Sequence, residues 1–423
     1  MTTKTLAQAI SCVDDYDPNA LPVAHARNII ADCIKPVTAI ECVTVRAALS
    51  RILAEDVVSG VDVPAHDNSA MDGYALRHAD LRADGPTILR EIGTAFAGHP
   101  FTGNLVSGAC VRIMTGAVMP LGTDTVVVQE AVKADGDRIT IPAGQEAGQN
   151  RRRAGEDVKS GTTVLRRGHA VRPAELGLLA SLGATEASVY RPLRVAFFST
   201  GDELIAAGTS LAEGQVYDSN RYTLYGMLTR LGCEVLDMGV VRDDPASLQS
   251  SLMAASANAD AIVTSGGVSV GEADLIRESL AQLGEVVLWK IAMRPGRPMA
   301  FGRIGNALFF GLPGNPVAVM VTFYQLVRDA LLRMMGRTGD VGLPMLRVPC
   351  ADSLRKKPGR TEYQRGTLTR DQDGNWCVRL TGAQGSGILR SMSEADCFIV
   401  LHHDQGAVNP GDLVSVQMME GLV

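Results

Sequence analysis

Two acids, Asp202 and Glu203, stand in a Thr200-Gly201-Asp202-Glu203 turn directly after the apolar run Arg-Val-Ala-Phe-Phe-Ser. Oxygen donors carried out of a strand on a glycine bend could let Glu203 hold a divalent cation or position water; a capped turn would leave the same trace. A second turn, Ser265-Gly266-Gly267-Val268-Ser269-Val270-Gly271-Glu272-Ala273-Asp274, follows Asp-Ala-Ile-Val-Thr. Its glycines let backbone N–H groups approach a phosphate closely, although it fits neither the GxGxxG nor the Walker A spacing, and glycine loops also serve merely as turns. The third, Leu312-Pro313-Gly314-Asn315-Pro316, follows Ala-Leu-Phe-Phe-Gly. Here capping by Asn315 and a helix start at Pro316 would be explanation enough. Between the last two lies a stretch from Lys290 to Pro298 that sets Lys290, Arg294 and Arg297 around a Pro-Gly turn. Cations beside a buried crevice call for an anion, whereas a lone basic run is usually solvated.

Other polar groups carry weaker signals. Pro64 to Tyr74 gathers Asp67 and Asp72 on a loop that a plain Asx-turn would also explain. Arg151, Arg152 and Arg153 beside Glu156 and Asp157 could grip phosphate, but surface pairing is the commoner outcome. His402 and His403 are adjacent, and neighbours on a strand point to opposite faces, which argues against joint metal binding. No HExxH helix or Cys-His pairing occurs.

The scaffold for the three turns is legible as alternation. Residues 193–335 run as strands RVAFFST, CEVLDMGVV, DAIVTSGG, VVLWKIAM and ALFFGLPG, with helices starting at Ser219, Pro245, Glu272 and Pro316. Continuous apolar strands between helices predict a parallel sheet covered on both faces, with ligands beyond the strands' carboxyl ends, where helix N-termini offer free N–H groups. Leu21 to Ala54 shows helical spacing broken by Pro36, which predicts two helices, and a further helix is expected from Pro173 to Leu182. Glu55 to Asn150 reads as short strands, such as Cys110–Met114 and Thr125–Glu130. After Pro344, hairpin signals at Asp373-Gly374 and Pro410-Gly411 suit a small β-barrel. The expected fold is multidomain α/β. Residues 1–53 and 155–190 form a helical or mixed N-terminal domain, 54–154 an inserted β domain, 191–338 a doubly wound α/β domain and 339–423 a C-terminal β-barrel.

Composition narrows the partners. A net charge of -6 and a pI near 5.7 provide no broad basic face for nucleic acid. The 8 cysteines lack any CxxC spacing and read as reduced structural thiols. The N-terminus lacks a signal-peptide pattern and no apolar run is long enough to span a membrane, so the expected location is cytoplasmic.

The motifs HDNSAMDGYA, RIMTGAVMP, RRRAGEDV, FSTGDEL, TSGGVSVGEAD, RPGRPMAFG, GLPGNPVA, YQRG and GAQGSG occur in one order. Together they resemble the molybdopterin molybdenumtransferases, called MoeA in bacteria and the gephyrin E domain in animals, from about Leu21 onward. The resemblance implies an elongated homodimer of four-domain subunits with a molybdopterin-binding α/β domain. The implied substrates are molybdopterin adenylate and molybdate, with Mg2+ as cofactor and AMP released. The upstream adenylyltransferase and recipient molybdoenzymes would be further partners.

Residue by residue, the resemblance makes Asp274 and Glu203 the metal and phosphate neighbours and Ser265, Gly266 and Gly267 the phosphate loop. It gives molybdate to Arg294, Arg297, Arg365 and Ser386, and lines the same cleft with Lys290, Asp243, Pro313 and Pro316. Asp72, Thr115, Arg152 and Asp157 would face the site across the dimer. The sequence departs from the usual Lys-Pro-Gly-Lys at Arg294-Pro295-Gly296-Arg297, and from the usual charge at Ala154. Guanidinium keeps the charge but changes its geometry, which bears on the choice between molybdate and tungstate. Two alternatives share the central module: a molybdopterin adenylyltransferase, which consumes ATP, and a non-catalytic scaffold.

Overall fold

A computed structural model describes residues 20–266 and 283–419. Gly267, Asp274 and the helix expected from Glu272 lie outside the described residues.

The central sheet contains β1 (Arg194–Thr200), β2 (Glu234–Val241), β3 (Ala261–Ser265), β4 (Gly284–Lys290), β5 (Pro298–Ile304) and β6 (Ala307–Leu312), in the spatial order β2-β1-β3-β6-β5-β4. Alternate side chains serve two cores. Phe197, Val263, Phe301 and Phe310 face one side, while Ala196, Phe198, Ile262 and Phe309 face the other. Such two-sided burial explains the unbroken apolar runs of β1, β3 and β6.

The sheet is parallel only across β2, β1, β3 and β6; β5 pairs antiparallel with both β6 and β4. The wholly parallel sheet is thus corrected, because Pro298–Ile304 is a strand that the alternating pattern passed over. Its signal was the two-residue turn Gly305-Asn306, where Gly305 takes φ +56, a conformation that suits the tight hairpin.

Helix α1 (Ser219–Arg230) is capped by Asp218, which accepts from the Arg221 N–H, and α2 (Pro245–Asn258) by Asp244, which accepts from the Ser247 N–H. The helix from Pro316 continues through a π-turn at Phe323–Val327 to Met334. The connection β1 to β2 goes to one side of β1, while β3 and β6 lie on the other. The strand order therefore reverses between β1 and β3, where open α/β sheets form their crevice.

Of the two helices expected near the N-terminus, one exists, Val23–Cys33, which buries Ala26, Ile29 and Ile30 in the core containing Val317 and Phe323. The second is replaced by a strand, Ile40–Thr44, and a 3-10 turn, Val45–Ala48. Ile40, Val43 and Thr44 are β-branched, and a distant partner, Glu186–Tyr190, completes their ladder, which helical periodicity cannot reveal. Helix Pro173–Ser181 begins at its proline as expected and packs on this unit through Leu179.

Residues 73–141 build a separate six-stranded sheet whose central members are Gly73–Leu76, Ala109–Ile113 and Thr87–Ala95. The C-terminal strands Thr361–Arg370, Cys397–Leu401, Leu413–Met418 and Met345–Pro349 pair in that order, with Trp376–Leu380 on the other side of the first. A bridge between Cys350 and Val378 closes them into a barrel. A short strand of the basic turn, Met293–Arg294, joins the barrel by parallel pairing with Thr361 and Glu362. No helix among the described residues is long and apolar enough to cross a membrane.

Candidate active site

A cleft of about 670 Å³ opens where the turns after β1, β3 and β6 meet the basic turn and a barrel loop. Glu203, Asp243, Ser265, Gly266, Arg294, Arg297, Pro313 and Ser386 all line it. Their convergence follows from strand order, since β1, β3 and β6 are neighbours and point their carboxyl ends the same way.

Gly266 takes φ +89, and a Cβ there would stand 2.5 Å from the Thr200 carbonyl oxygen, so only glycine lets the ends of β1 and β3 come this close. The Asp202 carboxylate accepts from the Asp243 N–H at 3.4 Å, tying the turn after β1 to the one after β2. The Val216 N–H donates to the Glu203 carbonyl at 3.0 Å, so the Glu203 turn is anchored through its backbone. Among the described residues, no group of three or more His, Cys, Asp or Glu side chains could hold a metal ion.

The expected helix cap at Asn315 is not made: its side chain forms no capping hydrogen bond and lines the cleft instead. The Val317 N–H donates to the Ser386 carbonyl at 3.0 Å, so a barrel loop occupies the helix end that an anion was expected to use. That loop is held from behind. Gln384 accepts from the Arg365 N–H at 2.7 Å and donates to the Arg365 and Gly382 carbonyls at 3.1 Å each.

Arg365 is 1% exposed and stands behind the cleft wall, donating to the Ser391 hydroxyl at 3.0 Å and the Gly385 carbonyl at 3.1 Å. Burial first, and then the charge of Arg294, pushes its guanidinium down to about 10, which leaves it cationic at neutral pH. Its side-chain partners among the described residues are these two neutral acceptors. Arg360 reaches the wall itself, steered by a 2.9 Å ion pair to Glu362, which is 3% exposed. Sequence reading passed over Arg360, and nothing in Pro358-Gly359-Arg360 marks it; register does, since Glu362 pairs with Arg294. Asn220, also missed, enters the cleft from the first turn of α1.

Other expected residues do not line this cleft. Lys290 is exposed at the end of β4, opposite Pro298, and Pro316 is the first residue of its helix. Asp72 and Thr115 lie in loops flanking strands of the six-stranded sheet, Arg152 and Asp157 follow that sheet in the chain, and none of the four lines the cleft. Asp72 accepts from both the N–H and the hydroxyl of Thr115 at 2.7 Å, and these bonds hold its carboxyl below the usual range. Arg151 forms an ion pair with Asp67, the surface pairing that the arginine run allowed, and the Ala154 N–H donates to the same carboxylate at 2.7 Å. Arg152 pairs in register with Asn68. His402 Nε2 lies 2.9 Å from the Ser415 hydroxyl.

Residues 21–183 match the family described as MoeA N-terminal region (domain I and II), 196–333 a probable molybdopterin binding domain, and 347–419 the MoeA C-terminal region (domain IV). The chain belongs to the MoeA family. A molybdopterin molybdenumtransferase of Haemophilus influenzae is 43% identical, covering 95% of this chain and 100% of that one. Another, from Nostoc, is 35% identical over 89% of this chain and 88% of its own length. A MoeA crystal structure from Pyrococcus horikoshii OT3 superposes with a TM-score of 0.82 at 28% identity, over 95% of this chain and 100% of that one. All three matched stretches are thus present, and the walls of the cleft come from the second and third of them.

Proposed function

We propose that the chain inserts molybdate into adenylylated molybdopterin and releases AMP in a step that depends on a divalent metal. It is a molybdopterin molybdenumtransferase of molybdenum cofactor biosynthesis. One observation carries the finer reading: a single cleft sets strand-end carboxylates, Glu203 and Asp243, against the guanidinium groups of Arg294, Arg297 and Arg360. Acids at one wall and fixed cations at the other suit two different anions, one bound through a metal and one bound directly.

In this reading Gly266 and Ser265 cradle the phosphate of the adenylyl group, where backbone can approach closely. Arg294, Arg297 and Arg360 grip the molybdate oxygens together with Ser386, and Arg365 fixes the loop that presents Ser386. Pro313 shapes the floor. The donors at the acid wall are carboxylate oxygens of Glu203 and Asp243, which fits magnesium; Asp274, outside the described residues, is proposed as a further ligand. A bound ion would neutralise phosphate charge and polarise the bond to be broken. Asp243 would take up the proton of the water that attacks the adenylyl phosphorus, as the phosphate of molybdopterin leaves.

We further propose a homodimer in which Asp72, Thr115, Arg152 and Asp157 reach the partner's cleft. Support comes from the exposure of Thr115, Arg152 and Asp157, with Asp72 half-buried beside Thr115, together with the absence of all four from the cleft of their own chain.

The test is AMP release from molybdopterin adenylate, measured with and without molybdate and magnesium. Release that needs the metal and is coupled to metal insertion is expected. ATP consumption with no molybdate-dependent AMP release would replace this reading with an adenylyltransferase.

A further inference from the structure

Asn220, 7% exposed, occupies the second position of α1 and lines the cleft. Its side-chain nitrogen lies 2.7 Å from the Gly314 carbonyl oxygen and 3.0 Å from the Ser265 hydroxyl oxygen. A carbonyl oxygen only accepts, so the atom facing Gly314 is the NH2 group, which fixes the orientation of the amide. One residue pair earlier, Asp218 accepts from the Ser199 hydroxyl and from the Arg221 N–H, each at 3.1 Å. The first turn of α1 therefore fastens the end of β1, the end of β3 and the turn after β6 into one unit.

The direction of the bond to Ser265 matters most. A serine hydroxyl has one proton, and Asn220 spends an N–H on its oxygen, so that proton must point elsewhere. Among the described residues no acceptor takes it, while Ser265 lines the cleft beside Gly266. We infer that Asn220 is a positioning residue, which turns the Ser265 hydroxyl into a fixed donor aimed at the oxyanion held by the Gly266 turn. The inference rests on the nucleotide-phosphate reading given above. It predicts that Asn220 and Ser265 act as one device.

The experiment measures the calorimetric Kd of AMP, KM and kcat for AMP release, and Tm, in Asn220→Leu, Ser265→Ala and the double variant. Leucine removes the donor at similar volume and adds no charge. Each single variant should raise Kd and KM by about ten-fold, with kcat changed much less, because a hydrogen bond to a charged group is lost from bound substrate. The double variant should bind no worse than the weaker single one. Additive losses would overturn the inference, as would wild-type Kd in Asn220→Leu, or a fall in Tm and kcat at unchanged KM. If Asn220→Leu fails to fold, Asn220→Ala takes its place in the same cycle. A wild-type protein that releases AMP while Asn220→Leu matches it sinks the inference alone; one that neither binds AMP nor releases it sinks the functional reading too.

Discussion

Glu175 and Arg365 are both charged side chains withdrawn from water, 6% and 1% exposed, but they lie in opposite kinds of surroundings. Glu175 is the third residue of the helix that begins at Pro173 and is surrounded by donors: Arg172 at 2.8 Å, His169 at 3.1 Å and the Arg172 N–H at 2.9 Å. Arg172 foremost, with His169 and the backbone, holds its carboxyl down to about 2. Among the described residues Arg365 instead meets only neutral acceptors and a like charge, Arg294. A compensated buried charge is a structural joint; one met only by neutral acceptors is costly for the fold to keep.

The sharpest way to break this contrast is to apply one substitution in both regions. Glu203→Gln in the cleft should cut AMP release about a thousand-fold with Tm unchanged, since it removes charge at the acid wall and keeps shape. Asp274→Asn should do the same, and unchanged AMP release in it would refute its metal role. Glu175→Gln should leave turnover alone and lower stability by about 2 kcal/mol, read from the melting curve, because Arg172 and His169 lose their charged acceptor. If the two outcomes were exchanged, burial with compensation would be no guide to role here.

Next in size is Arg365→Met, which removes the charge and keeps an unbranched apolar stem. Molybdate-dependent release should fall about a hundred-fold while Tm holds or rises, because a buried unpaired cation is costly. A large loss of Tm with molybdate binding intact would make Arg365 a second structural joint. A smaller effect is expected from acid. The Glu175 carboxyl is depressed in the folded state, so its stabilisation is full above the unfolded value, about 4.3, and is lost as pH falls from there toward 2. The acid limb of the stability curve should therefore be flatter in Glu175→Gln than in wild type. The smallest change should come from the pair Arg294→Lys and Arg297→Lys. Charge is kept and only the planar fork is lost, so the ratio of tungstate to molybdate affinity should move by less than about ten-fold. A larger shift in competition binding would show that fork geometry selects the metal.

Legibility divided along the same line. The runs of β1, β3 and β6 were readable because burial on both faces leaves no polar interruption, and the starts of α1 and α2 because Asp218 and Pro245 are local signals. Pro298–Ile304 was passed over although Gly305-Asn306 marked its hairpin. Ile40–Thr44 was read as helix because its partner strand is remote in sequence. In the site, glycine turns and a Pro-Gly basic turn announced themselves by type and spacing. Arg360 and Asn220 did not, since their roles come from Glu362 in one case and from Ser265 and Gly314 in the other.

The sequence by itself determined which segments carry acids, glycines and cations, and that three turns leave apolar strands, because those properties are written in local residue types and periods. Only the tertiary structure decided that these turns share one cleft, that Arg365 stands behind its wall with Arg360 in front, and that a barrel loop fills the helix end at Val317. Strand order and register set those distances, and both are fixed by pairing between segments far apart in the chain, which no local pattern encodes.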